Sequence, residues 1–366
     1  MPKKTLKLIT DSDDDRPIYV AGSFNEWSAG DERYQMASSD LPNQYEYTFD
    51  FPDDISHIEY KYTRGGWEGV ELGRFNESAM NHGRHVADDW STPDRVSNWA
   101  NAGLHYRPEL LPKIVVINEE FEIPQLIRTR RVAALLPHNY YESDRHYPVL
   151  YLQDGQNLFD DNAPYGSWGV DKQLASMAGR GQGDIIIVAI DHADAQRVSE
   201  FTPTFKTKLG RGDGSDYSRF LAKTLKPYID DHFRTLPGPE HTGIGGSSLG
   251  GLISIYAGIL YPQVYDRLMI FSPSLWVTPE IPFHLTKVTH KFRGRIYLYG
   301  GEAESKTMVP NLHRLQKGLT KQSESDKVVF RLEVDPHGQH NEARWGQEFP
   351  KAIEWLFFSD VAVTAP

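Results

Sequence analysis

Short apolar runs separated by turn residues fill the first part of the chain. Leu6–Ile9, Pro17–Ala21, Tyr45–Phe51 and Ile58–Thr63 are rich in aliphatic and aromatic side chains, with Gly, Asn, Asp and Pro between them. Runs of this length and punctuation predict strands, and no helical period appears among them. Residues 1–90 are therefore expected to form a small all-β, immunoglobulin-like sandwich. Residues 91–111 follow no period and carry Pro93 and Pro108. They read as a linker, packed through Trp99 and Tyr106, with Trp90 just before it.

From residue 112 the pattern changes. Val149–Leu152, Asp184–Ile190, His241–Gly245, Leu268–Phe271, Arg295–Tyr299 and Val328–Val334 predict strands, several of them apolar on both faces. Helical stretches separate them at Tyr217–Phe233, Leu249–Tyr261, Val309–Leu319 and Asn341–Phe358. Alternation of β and α predicts a mostly parallel sheet with helices on both faces, so residues 112–366 are expected to be an α/β domain. The sequence has no internal repeat and no low-complexity tract.

Composition narrows the function classes. With 39 basic and 50 acidic residues the formal net charge is −11, which disfavours nucleic acid or an anionic membrane as partner, because both select a basic face. The chain has no cysteine, so disulfides, thiolate catalysis and cysteine-ligated zinc are excluded together. Apolar runs such as Ile185–Ile190 are too short to cross a bilayer. The start, MPKKTLKLITDSDDD, has no apolar run of signal-peptide length, and the expectation is a cytoplasmic protein.

The strongest chemical signal is Gly246-Ser247-Ser248-Leu249-Gly250. A β-like run precedes it and an apolar helix ending at Pro262 follows. A G-x-S-x-G turn between strand and helix puts the serine in a strained backbone conformation at the carboxyl edge of a sheet, with its hydroxyl exposed. Ser248, flanked by glycine two residues before and after, is the expected nucleophile; Ser247 is its neighbour. A triad in the order serine, acid, histidine needs a later base. His340 and its competitor His337 share the loop Asp335-Pro-His-Gly-Gln-His-Asn341. His284, His290 and His313 lie in helical or connecting text. Either Glu302 or Glu304, after the strand Arg295–Tyr299, suits the acid, whereas Asp266 falls at the wrong end of its strand. The N–H of Leu249, with that of Gly155 or Gln156, is expected to form the oxyanion hole. The His337/His340 pair lacks a metal-binding pattern, and neither metal nor cofactor is expected.

The segments VLYLQDGQNLFD, SWGVDKQL, GIGGSSLGGLISIYAGILYP and HGQHNEARW resemble the esterase family that includes enterochelin (siderophore) esterases, feruloyl esterases and related carbohydrate acetyl esterases. The resemblance covers roughly residues 112–360 and implies an α/β-hydrolase fold and ester hydrolysis. It assigns Ser248 as nucleophile, His340 as base and Glu304 as acid, and it brings Asn157, Trp168 and Arg197 to the substrate. The front segments IYVAGSFNEWS and HIEYKYTRGGWEGVE resemble starch- and glycogen-binding sandwich modules. That likeness implies a possible glucan partner at Trp27, Lys61 and Trp67, although such modules also serve as packing walls. The expected protein is a serine carboxylic ester hydrolase acting on a small or sugar-linked ester. The alternatives are a siderophore esterase cleaving a catecholate trilactone, its basic pocket supplied by Arg197, Lys206, Lys208 and Arg211, and a glucan-binding protein with an idle hydrolase domain.

Overall fold

The computed structural model describes residues 3–11, 16–39, 41, 43–52, 55–73, 79–100, 106–161, 163–278, 292–322 and 328–359. The chain divides into two compact units, Met1–Leu104 and His105–Pro366.

The first unit is all-β. Its strands are β1 (Lys3–Thr10), β2 (Tyr19–Gly22), β3 (Ala37–Ser38), β4 (Gln44–Asp50), β5 (His57–Thr63), β6 (Glu71–Leu72), β7 (His82–His85), β8 (Asp94–Val96) and β9 (Asn98–Trp99). They form sheets of order β3-β4-β1-β8, β2-β5-β7 and β6-β9. Leu6, Leu8, Val20, Phe49, Tyr60, Tyr62, Trp90 and Trp99 share one core. The hydroxyls of Tyr60 and Tyr62 donate to Asp94 at 2.6 and 2.8 Å, so buried phenols keep their partners. Residues 94–99 were expected in the linker and are instead strands: β8 runs parallel to β1, and β9 pairs with β6. Strands of two or three residues show no period, and burial of Val96 and Trp99 at 1% exposure fixes them here.

The second unit is built on one sheet. Its strands are β10 (Lys113–Ile123), β11 (Arg128–Leu136), β12 (Val149–Gln153), β13 (Ile186–Ile190), β14 (Thr242–Ser247), β15 (Arg267–Phe271), β16 (Gly294–Gly301) and β17 (Val328–Asp335), in the order β10-β11-β13-β12-β14-β15-β16-β17. β10 and β11 form an antiparallel hairpin, β11 is antiparallel to β13, and the rest pair in parallel. Side chains alternate across it: Tyr151, Ile186, Val188 and Ile190 enter one core, and Leu150, Leu152, Ile187 and Ala189 the other. Period-2 strands apolar at every position demand burial on both faces, and helices supply it. These include Val170–Gly179, Ser248–Leu260, Met308–Gln322 and Glu342–Ile353. This is an α/β-hydrolase fold. No helix among the described residues is long and apolar enough to cross a membrane.

Candidate active site

The site grows from the turn between β14 and the helix Ser248–Leu260. Ser248 has φ +56°, a left-handed conformation that costs a non-glycine residue about 1–3 kcal/mol and persists only where the surroundings enforce it. A Cβ at Gly246 would lie 3.0 Å from the carbonyl carbon of Gly250, so the chain crosses itself too closely there for a side chain. Ser247 is buried while Ser248 is partly exposed. That difference separates the two serines.

β16 and β17 carry the other polar members. After β16 the chain turns so that Glu304 reaches back into the site. Its side chain is 2% exposed and its Oε2 lies 2.7 Å from His340 Nδ1. Its Oε1 accepts the Gly301 N–H at 2.7 Å and the Ser272 hydroxyl at 2.7 Å. Glu302 is exposed, with its backbone N–H on the Asp335 carbonyl. His340 follows β17 in the loop before the last helix. Its ring stands edge-on to Trp345, centroids 4.9 Å apart at 85°. His337 is exposed and His313 lies on the exposed face of its helix; His284 and His290 fall outside the described residues. Asp266 pairs with Arg267 at 2.9 Å, where β15 begins, at the opposite sheet edge from Ser248. Among the described residues Ser248 Oγ has one hydrogen-bond partner, Ser274 Oγ at 3.2 Å, and the Ser274 N–H donates to the Ser248 carbonyl at 3.0 Å.

The turn after β12 faces this edge. Asp154 is left-handed at φ +58°. The N–H groups of Asn157 and Leu158 close the turn on the carbonyls of Asp154 and Gly155, which leaves those of Gly155 and Gln156 outside the turn's own bonding. A Cβ at Gly155 would sit 2.5 Å from Asp191 Oδ1 and 3.0 Å from the Ile190 backbone, so only glycine fits. Gln156 Oε1 accepts the His192 N–H at 3.0 Å. Leu249 is the second residue of its helix, a position whose N–H lacks an intrahelical acceptor.

Two expected substrate contacts have other partners. Arg197 gives its guanidinium to Asp154 as a bidentate pair, at 2.6 and 2.9 Å. Trp168 is 4% exposed and packs on Phe271, ring centroids 5.4 Å apart, and on Trp345. Its indole belongs to the core because the chain crosses Gly346 closely at that point, where a Cβ would be 2.2 Å from the Trp168 carbonyl oxygen. Asn157 is 9% exposed, and its Oδ1 has no hydrogen-bond partner among the described residues.

Asp154, Ser272, Ser274, Glu342 and Trp345 were not singled out from sequence. Burial pushes the Glu342 carboxyl up to about 7, while His340 and Arg197 draw it down. Burial likewise pushes Asp191 up to about 6. In the first unit, Trp27 and Trp67 adjoin, centroids 6.3 Å apart at 36°, and Trp67 is 42% exposed. Lys61 donates instead to the Ala79 carbonyl, so its ammonium is engaged by the chain. Phe75, the further aromatic near them, is outside the described residues.

A profile of the Putative esterase family matches residues 123–356, more than half of the chain. The chain belongs to this esterase family. The activity class that follows is ester hydrolysis. The chain is 23% identical over 242 residues to the uncharacterized protein YbbA of Bacillus subtilis, 62% of this chain and 92% of that protein. It is 30% identical over 137 residues to the siderophore triacetylfusarinine C esterase of Aspergillus fumigatus, 35% of this chain and 44% of that enzyme. Among solved structures, the enterobactin esterase FES from Shigella flexneri superposes with a TM-score of 0.54 at 17% identity, covering 97% of this chain and 93% of that one. At that identity the likeness is one of fold.

Proposed function

We propose that Ser248, His340 and Glu304 form a triad that cleaves a carboxylic ester through an acyl-enzyme. The observation that carries this reading is the buried Glu304 carboxylate, held by two donors on one oxygen and by His340 Nδ1 on the other, at the sheet edge where Ser248 is strained. The Ser248 hydroxyl turns from Ser274 towards His340 Nε2 as substrate enters, since such contacts tighten in the Michaelis complex. His340 takes its proton as Oγ attacks the ester carbonyl, and the negative charge on the former carbonyl oxygen meets the N–H groups of Leu249 and of Gly155 or Gln156. Collapse breaks the bond to the alcohol, which leaves with the proton from His340. Water, deprotonated by His340, then attacks the acyl carbon, and as the bond to Ser248 Oγ breaks His340 returns the proton to Oγ and the acid leaves. Arg197 serves by holding Asp154, and with it the oxyanion turn.

For the substrate, one observation favours an anionic, siderophore-type ester over the neutral ester expected from net charge. Lys206, Lys208 and Arg211 are exposed, and no ion pair engages them among the described residues. The Lys208 N–H bonds the Val277 carbonyl at 3.1 Å, in the short stretch that begins at Ser274 against the nucleophile. Trp276, 50% exposed, and Leu209, 41% exposed, add apolar surface beside the charges. A local basic patch attracts a multiply charged substrate regardless of net charge. The siderophore triacetylfusarinine C esterase, 30% identical over 137 residues, supports a siderophore-type ester. The Trp27–Trp67 pair supports a second, weak activity in the first unit, glucan binding.

The experiment is kcat/KM on a panel of a catecholate trilactone and neutral nitrophenyl esters. Ser248→Ala is expected to lower kcat by on the order of 10⁶. Neutralising Lys206, Lys208 and Arg211 together is expected to cost about tenfold on the trilactone alone, a factor typical of steering charges. A residual activity of several per cent in Ser248→Ala overturns the triad. Preference for neutral esters with no effect of the triple variant overturns the anionic substrate.

A further inference from the structure

Glu304 does not reach His340 unaided. Its other oxygen is held by Ser272, whose backbone is itself strained at φ +42° just beyond the end of β15. The Ser272 N–H donates to the Tyr299 carbonyl on β16 at 2.8 Å, which fixes the residue between the two strands. Its hydroxyl bridges two groups: it donates to Glu304 Oε1 at 2.7 Å and accepts the Trp345 indole N–H at 2.9 Å. Ser272 and Trp345 are 0% and 3% exposed, so no water competes for these bonds. Trp345 also sets its ring edge-on to His340. One indole therefore touches the base directly and the acid through a single hydroxyl.

We infer that Ser272 and Trp345 are positioning residues for the Glu304–His340 pair. The direction of the bonds is set by chemistry. An indole N–H only donates, so the Ser272 oxygen accepts from it and its own proton goes to Glu304. A carboxylate oxygen fixed by two donors cannot rotate, and its partner oxygen stays aimed at His340 Nδ1. That holds the imidazole with Nε2 free to receive the Ser248 proton. Backbone strain at Ser272 persists only where the surroundings enforce it, as at functional sites. The inference rests on the triad reading above and extends it.

Ser272→Ala keeps the Cβ and the backbone cost, and removes only the hydroxyl. Its expected effect is a fall in kcat of on the order of 10-fold, the loss of one hydrogen bond to a charged group, with KM within about twofold and a displaced acidic limb of the rate–pH profile. In a Glu304→Gln background the same substitution should change kcat by less than about twofold, because the group it acts through is already altered. Trp345→Phe, which keeps a ring against His340 and loses the N–H, should lower kcat in the same direction. It decides the matter should Ser272→Ala fail to fold. Wild-type kcat in these variants, losses that multiply in the double variant, or an effect on KM instead of kcat overturns the inference. Glu304→Gln without any loss overturns the triad itself, a separate outcome.

Discussion

At the residue scale, a second carboxyl sits near the base. Glu342 begins the helix that follows His340, capped by Asn341, whose Oδ1 accepts the Arg344 N–H at 3.0 Å. With its carboxyl pushed up to about 7 by burial, Glu342 is neutral in mildly acidic solution and ionises near neutrality. Once ionised it places a negative charge beside His340. Glu342→Gln removes that titration, so the rate–pH profile should change near neutrality, where Glu342 ionises. The sign for stability follows from a raised carboxyl pKa. The stabilisation is present below the ordinary value of 4.5 and is lost as pH rises through about 7. Thermal melts from pH 5 to 8 should decline less in Glu342→Gln than in wild type. A rate–pH profile that is unchanged near neutrality sinks this reading. The proposed nucleophile and base, Ser248 and His340, could be picked out of the sequence because an elbow and a histidine loop have fixed places in the chain order. Ser272 and Trp345 were not, because their pairing spans two loops and leaves no spacing in the sequence.

At the element scale, the central strands were legible and the edge pair was not. Val149–Leu152 is apolar at every position and reads as a strand buried on both faces, as observed for β12. The hairpin β10–β11 went unseen because it is charged. The edge strand β10 is largely exposed and carries Glu119, Glu120 and Glu122, and β11 opens on Arg128, Arg130 and Arg131 before its buried run Val132–Leu136, with Arg131 paired to Glu119 at 3.2 Å. The first helix of the sheet, Val170–Gly179, was missed too. Its start at Gly169, φ +59°, carries no side-chain cap to announce it. In the first unit the loops that carry Trp27 and Trp67 bring the rings together, as a sugar platform requires. Two aromatic rings gain a few kcal/mol of stacking, and the cost of association leaves about millimolar affinity. Calorimetry with maltoheptaose should show binding at that level, lost in Trp67→Ala. No heat at tens of millimolar sugar would sink the glucan reading.

At the scale of the molecule, function rests on geometry at one edge of one sheet. The proposed anionic ester departs from the neutral one expected from composition because net charge sums over the whole surface, whereas a substrate meets only the charges around its site. The exposed cations between Phe205 and Gly212 are a local exception to a chain of net −11. The change of period near residue 112 was read as the start of a second domain, and the chain divides into the compact units Met1–Leu104 and His105–Pro366. The boundary was drawn early, because short strands such as β8 and β9 depend on neighbours far away in the chain.

The most direct measurement is covalent capture of the nucleophile. Active wild-type protein is treated with a fluorophosphonate, and the modified peptide is identified by mass spectrometry. The expected result is one adduct on Ser248, formed as esterase activity disappears, retained in Ser247→Ala and absent from Ser248→Ala. An adduct on Ser247 or any other residue, or full activity after Ser248 is blocked, would contradict the central claim.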